Sequence, residues 1–141
     1  MSKELTEQEL EDVKQVVCDE VDAISDVLLE ASHAIHANPE LNFEEHFAHE
    51  TLTGILEDQG LKPERGAYDL DTAFEASVGD EGICVAVLCE YDALPEIGHA
   101  CGHNIIGTAG LGAGIAASKV AEQLGGSLRT VSYTHLRAHE T

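Results

Sequence analysis

The residues best suited to chemistry lie together between Leu88 and Asn104. Glu90 and Asp92 directly follow Ile83 to Cys89, a continuously apolar stretch that is typical of a strand buried on both faces. Ligand crevices in α/β sheets lie at the carboxyl ends of such strands. The two acids are therefore predicted to lie at a crevice where polar groups from several elements converge.

His99, Cys101 and His103 follow these acids at alternate positions. In an extended segment residues two apart point the same way, so Cys101 and His103 are predicted to present a thiolate and an imidazole to one ion. Zinc favours these ligand types, with manganese or cobalt as alternatives in a mixed site. Taken alone, Cys-Gly-His is better explained as a buried cysteine beside a hydrogen-bonded histidine. The acids favour the metal site, because buried charges are costly without a partner.

Two helices are predicted ahead of any strand. The first is a long amphipathic helix from Thr6 to about Ile35, which is stopped before Pro39 because the residue preceding a proline avoids the helical region. The second runs from Asn42 to Gln59, with Asn42 and Glu45 as a capping box. Its apolar stripe is predicted to comprise Phe43, Phe47, Leu52, Ile55 and Leu56.

An alternating strand from Thr72 to Val78 and the apolar strand from Ile83 to Cys89 come next, separated by a turn. A helix rich in glycine and alanine is predicted from Asn104 to Leu124, and Leu128 begins another strand. Strand, helix and strand in this order form a βαβ unit, so two parallel neighbouring strands are expected. The predicted fold class is α/β, with two helices and then a mixed or parallel sheet.

The charge balance excludes several kinds of partner. The chain has 27 acidic against 7 basic residues and a formal net charge of −20, so nucleic acid and anionic membrane surfaces would repel it. The acidic residues are interpreted as a solubilising surface, with adaptation to high salt as the alternative. Four irregularly spaced cysteines and a polar N-terminal stretch without a signal region favour a reduced, cytoplasmic setting, and no apolar run is long enough for a membrane span.

The last residues differ in character from the rest. The stretch from Val131 to Thr141 departs from the acidic, lysine-poor composition of the chain. It matches the peptide that one reading frame of a widely used transposon sequencing adapter encodes. We therefore expect residues 131–141 to be a non-native tail, in which His135, His139 and Glu140 carry no chemistry. Residues 1–130 are expected to be the native part of the chain.

Two segments carry a resemblance to a known family. The strand ending in Glu-Tyr-Asp-Ala-Leu-Pro, followed by Gly-His-Ala-Cys-Gly-His-Asn, resembles the signature of the aminoacylase and amidohydrolase metallopeptidases, family twenty of the metallopeptidases. The upstream stretch from Ile35 to Glu45 is similar to a helix junction in the branch of N-acyl-amino-acid and aminobenzoyl-glutamate hydrolases and the peptidase domain-containing protein 2 group. With the glycine-rich helix, the similarity covers nearly all of residues 1–130.

The resemblance implies a role for each motif residue. Cys101 and His103 would be metal ligands, and Asp92 would be the catalytic acid that orients the metal centre. Glu90 stands where other branches have a histidine ligand, which leaves its own role open. His99 is expected to hydrogen-bond within the site rather than to bind the ion.

The resemblance also implies that residues 1–130 are the N-terminal portion of a zinc-peptidase-like metallopeptidase catalytic domain, with a divalent cation as cofactor. The expected activity is metal-dependent hydrolysis of amide bonds in small N-acyl amino acids or dipeptides. The family's adjacent glutamates, later histidines and lid domain, which mediates dimer contact, are not found in this sequence. The fragment is therefore predicted to be inactive, and the full-length form to be a homodimer. The alternative is a non-catalytic metal- or partner-binding domain.

Overall fold

The computed structural model describes residues 4–132 of the chain, so the predicted tail lies outside the described residues from Tyr133 onward. The described part contains four helices, four strands and a short 3₁₀ turn. In chain order they are α1 (Glu7–Ala23), α2 (Ser25–Ala37), α3 (His46–Asp58), β1 (Glu64–Arg65), the 3₁₀ turn (Ala67–Asp69), β2 (Phe74–Val78), β3 (Cys84–Cys89), α4 (His103–Ser118) and β4 (Ser127–Ser132).

The predicted first helix is two helices joined at Ile24. The capping box at its start is present, since Thr6 and Glu9 bond each other's backbone N–H groups. Ile24 leaves helical geometry, with φ −108° and ψ 8°, and its side chain is buried in the core. Helix α1 buries no residue, whereas α2 buries Ala31 and Ile35. The break therefore lets α2 turn its apolar face to the core while acidic α1 stays at the surface.

Helix α3 begins later than predicted, and its capping box is wrong. Glu45 occupies the cap position, but its side chain makes no capping hydrogen bond. The carboxylate of Glu40 takes this role instead, accepting hydrogen bonds from the backbone N–H groups of Phe47 at 2.8 Å and Ala48 at 3.0 Å. Phe43 and Phe47 are exposed, so the buried stripe is narrower than expected and consists of Leu52, Ile55 and Leu56.

The four strands form one mixed sheet in the order β1-β2-β4-β3. Strands β3 and β4 are parallel and are joined through α4, which confirms the predicted βαβ unit, while β2 pairs with β4 in antiparallel orientation. The prediction that β3 is buried on both faces is wrong for the described chain. It lies at the edge with β4 as its partner, and Ile83 just before it is 81% exposed.

The core lies between the sheet and helices α2, α3 and α4. Its largest members are Ile35, Leu52, Leu56, Phe74, Tyr91, Leu111 and Ile115. Helix α4 approaches the sheet closely because its facing residues are small: a Cβ on Gly114 would lie 2.2 Å from Thr130 Oγ1. The helix ends at Ser118, earlier than predicted, and turns connect it to β4. No helix among residues 4–132 is long and apolar enough to cross a membrane.

Candidate metal site

Glu90, Asp92 and His103 meet at the carboxyl end of β3. One ligand atom from each side chain lies within 4.8 Å of the others. His103 is the first residue of α4, and Gly102 before it has φ +82°, a left-handed conformation that glycine adopts without steric cost. The loop after β3 leads back to the same end of the strand, where α4 begins. His103 therefore lies beside Glu90 and Asp92 although the loop separates them in sequence. The predicted gathering of polar side chains at this end of β3 is thus present, whereas a crevice there stays a prediction.

Asp92 fixes the orientation of the His103 ring. The Nδ1 atom lies 2.8 Å from Asp92 Oδ1 and 2.9 Å from the Asp92 carbonyl oxygen. Both oxygens are acceptors, so Nδ1 carries the hydrogen and donates it to Asp92. In the neutral ring the lone pair is then on Nε2, which lies 3.7 Å from Glu90 Oε2. A histidine held in this way is arranged as metal-binding histidines usually are.

The charge and burial of the three side chains favour a cation. The side chains of Asp92, Glu90 and His103 are only 5%, 13% and 17% exposed. Two carboxylates brought close together with little solvent repel each other, and an opposite charge relieves this repulsion. Oxygen and imidazole nitrogen ligands suit zinc, manganese and cobalt alike. The donor set therefore fits a divalent ion.

Cys101 lies apart from this group of ligand atoms among the described residues. The chain turns at residues 99–101, where the Gly102 N–H donates to the His99 carbonyl at 3.0 Å. The prediction that Cys101 and His103 point the same way in an extended segment is therefore wrong, because the chain is not extended there. Cys101 is exposed, and its role as a metal ligand stays a prediction.

His99 lies beside the ring of His36, at a centroid distance of 6.2 Å. Neither of its ring nitrogens makes a hydrogen bond of ordinary geometry within the described part of the chain. Burial, followed by the neighbouring imidazoles of His36 and His103, lowers the pKa of His99. A neutral ring is therefore favoured there, and the expected hydrogen bond to the site is not seen.

The sequence missed two features of the site. Glu90, whose role the motif left open, lies within the group of ligand atoms. Glu45, predicted as part of a capping box, is fully buried, and burial raises the pKa of its carboxyl group from 4.5 to about 7. Its position in the segment from Ile35 to Glu45, which carried the second resemblance, is the signal that could have drawn attention to it.

Comparison with known proteins gives relatives among hydrolases, although no protein-family model matches the chain. It is 40% identical over 120 residues to the Xaa-Arg dipeptidase of Mus musculus, an alignment covering 76% of this chain and 27% of the relative. It is 32% identical over 133 residues to a component of the p-aminobenzoyl-glutamate hydrolase of Escherichia coli (strain K12), covering 82% of this chain and 28% of the relative. The chain thus spans less than a third of the length of these relatives.

Solved structures share the fold. A putative aminohydrolase from methicillin-resistant Staphylococcus aureus superposes with a TM-score of 0.70 at 18% identity, covering 84% of this chain and 34% of that one. A Bacillus subtilis protein described as a dinuclear metal binding peptidase from the M20 family gives a TM-score of 0.68 at 22% identity, covering 79% and 35%. The α/β fold class is confirmed by these neighbours, and the family resemblance by the relatives and neighbours together.

Proposed function

Because this chain is similar to one part of an Xaa-Arg dipeptidase and of a p-aminobenzoyl-glutamate hydrolase, and shares the fold of an M20-family metal-binding peptidase, we propose that it belongs to a longer enzyme of this family that hydrolyses amide bonds with the help of a divalent metal. In this proposal residues 1–130 are the N-terminal portion of the catalytic domain. The observation that carries the proposal is the cluster of Glu90, Asp92 and His103, in which Asp92 holds the His103 ring with Nε2 turned toward Glu90.

Each residue of the cluster has a distinct part in the proposed reaction. Asp92 accepts the Nδ1 hydrogen of His103 and so keeps the lone pair on Nε2. His103 Nε2, the Glu90 carboxylate and the Cys101 thiolate would hold the ion. A bound ion would supply the charge that polarises the substrate carbonyl and lowers the pKa of a water molecule. A general base and further ligands would come from sequence that this chain lacks.

The substrate class follows from the relatives. One relative is named a dipeptidase for Xaa-Arg and another a hydrolase of p-aminobenzoyl-glutamate, and both names describe small molecules with an amide bond. We extend this class to the present protein as small N-acyl amino acids or dipeptides. Zinc is the proposed ion, with manganese or cobalt as alternatives, and the complete enzyme is proposed to be a cytoplasmic homodimer.

The state of the cysteines agrees with a reducing setting. Cys18, Cys84, Cys89 and Cys101 are all unpaired. Burial raises the pKa of the Cys89 thiol to about 12, so this cysteine is inert toward metals and oxidants at neutral pH. Cys101 is exposed and lies next to the cluster in sequence, which makes it the cysteine best placed to bind an ion.

A comparison of two proteins tests the proposed activity. The product of the uninterrupted gene and the 141-residue chain would be assayed with a panel of N-acyl amino acids and dipeptides, with zinc or manganese and with a chelator. We expect metal-dependent turnover from the longer protein and none from the chain, because two or three ligands and no general base fall short of a catalytic site. Metal binding without turnover by the longer protein would favour a non-catalytic binding domain.

A further inference from the structure

The connection between α2 and α3, residues 38–45, is linked by hydrogen bonds to both neighbours of Asp92, directly to the backbone of Ala93 and through Thr72 to the side chain of Tyr91. On one side, the Ala93 N–H donates to the Glu40 carbonyl at 2.7 Å. On the other side, the Tyr91 hydroxyl donates to the Thr72 carbonyl, and Thr72 in turn donates its own hydroxyl to Glu45 Oε2 at 2.8 Å. The two neighbours of Asp92 are therefore both held by groups that this connection orders.

Glu45 is an unusual residue to find at the centre of this arrangement. Its side chain is 0% exposed, and Oε1 has no hydrogen-bond partner of ordinary geometry in the described part of the chain. An ionised carboxylate is disfavoured in such a place, because the hydrogen bonds that it accepts do not compensate for the loss of water. Burial raises its pKa to about 7 against the opposing effect of the Thr72 hydroxyl, and the charge of Asp92 contributes in the same direction as burial.

Capping of α3 does not explain the position of Glu45. The carboxylate of Glu40 already accepts the N–H groups of Phe47 and Ala48 at the helix start, so the Glu45 side chain is not needed there. Among the side chains of residues 4–132, Thr72 alone donates a hydrogen bond to the Glu45 carboxylate. Thr72 is fully buried, and its carbonyl receives the hydroxyl of Tyr91, the residue before Asp92.

We propose that Glu45 is a positioning residue that acts through Thr72 and Tyr91 to fix Asp92, and thereby the ring orientation of His103. Tyr91 is confined further by stacking on Phe74, whose ring is nearly parallel to that of Tyr91. The backbone at Asp92 then has little freedom, and a fixed Asp92 carboxylate keeps the hydrogen of His103 on Nδ1. The consequence for metal binding rests on the proposed function, whereas the orientation of His103 does not.

The experiment compares four variants of the 141-residue chain by side-chain ¹⁵N NMR of His103 without metal. Glu45→Gln keeps a neutral group that can accept the Thr72 hydroxyl, whereas Glu45→Ala and Thr72→Val break the link. Thr53→Val is the matched control, because Thr53 is also a fully buried threonine whose hydroxyl donates a hydrogen bond, in this case to the His49 carbonyl at 2.6 Å. Cobalt affinity of the same proteins gives a second readout.

We expect the Nδ1–H form of His103 to dominate in the unmodified chain, in Glu45→Gln and in Thr53→Val, and to mix with the Nε2–H form in Glu45→Ala and Thr72→Val. Cobalt affinity should fall about 10- to 100-fold in the latter two, as it does when a group supporting a metal ligand is lost. Equal His103 spectra in all variants, or equal changes in Thr53→Val and Thr72→Val, would overturn the proposal. Absent cobalt binding in every protein, with the expected spectra, would count against the metal site alone.

Discussion

At the residue scale, the contact between Asp92 and His103 fixes which ring nitrogen of His103 is available to an ion. Asp92 is buried, and its carboxylate and carbonyl oxygens both accept from Nδ1. The sequence pointed to Asp92 because it follows an apolar strand, and to His103 because of its spacing from Cys101 and the motif that both share with the family. The sequence contains Glu45 in the second segment of resemblance, but its burial could not be predicted, because it depends on how the start of α3 packs against the loop at Thr72.

Replacement of Asp92 by asparagine separates orientation from folding. The amide is the same size, but it lacks the charge. It can also turn its NH₂ group toward Nδ1, which favours the His103 ring form with the hydrogen on Nε2. In the proposed full-length enzyme, we expect turnover to fall about 10- to 100-fold. The thermal unfolding midpoint should change little. An unchanged kcat/KM would reduce Asp92 to a structural role.

Glu45 predicts a specific dependence of stability on pH. Its pKa is raised from 4.5 to about 7 in the folded chain, so the folded state retains a proton that the unfolded state loses between these values. This contribution to stability is therefore present below the unfolded pKa and lost as pH rises toward the folded one, by about 3 kcal/mol in total. Glu45→Gln has no such group.

The measurement for Glu45 is urea unfolding of the chain and of Glu45→Gln at about pH 5 and about pH 8, on either side of the folded pKa. Buried His49 and His99 have lowered pKa values, which change stability in the opposite sense, but they are common to both proteins. The stability of the variant relative to the unmodified chain should thus rise from the lower to the higher pH. A difference that stays constant with pH would contradict the assignment of a buried, protonated Glu45.

At the element scale, hydrophobic periodicity predicted each helix and strand near the site but placed several ends wrongly. The predicted first helix is divided at Ile24 because α1 and α2 face different surroundings, which periodicity alone does not encode. The start of α3 shifted because Glu40, several residues upstream, supplies the cap. Local patterns identify the elements, whereas contacts between distant residues decide where they begin.

Helix α4 gives a test of close packing against the sheet. Alanine is the better helix former by about 1 kcal/mol, but a Cβ at Gly114 would lie 2.2 Å from the Thr130 hydroxyl oxygen. We expect Gly114→Ala to lower the free energy of unfolding by about 1–3 kcal/mol, since overpacking outweighs propensity. Gly54→Ala in α3 is the control, because nothing lies within 4 Å of its Cβ position. It should leave stability equal or raise it, and equal effects at both sites would refute the close contact.

At the scale of the whole molecule, the exposed edge at β3 and the large negative charge have opposite effects on self-association. Ile83, Val85 and Leu88 are exposed along an edge strand, an arrangement that favours pairing with a second copy. The net charge of −20 opposes association, and salt weakens this repulsion. The sequence predicted an apolar strand here, but its place at the edge of the described sheet follows from strand order, which composition does not reveal.

Self-association of the chain is therefore expected to increase with salt. Val85→Lys should reduce it, because a charge on an edge strand disfavours pairing. Val16→Lys is the matched control, since Val16 is an exposed valine on α1 away from the sheet. Sedimentation velocity at low and high salt measures the effect. Equal association of the two variants would show that the β3 edge is not responsible.

We propose above all that His103, oriented by Asp92, binds a divalent ion. Cobalt titration of the 141-residue chain, followed by optical absorption, tests it most directly in comparison with His103→Ala, Cys101→Ser and His33→Ala, which removes an exposed histidine of α2. We predict that His103→Ala abolishes binding, that Cys101→Ser weakens it with loss of the thiolate absorption, and that His33→Ala leaves it unchanged. Equal cobalt affinity in the unmodified chain and His103→Ala would contradict the account.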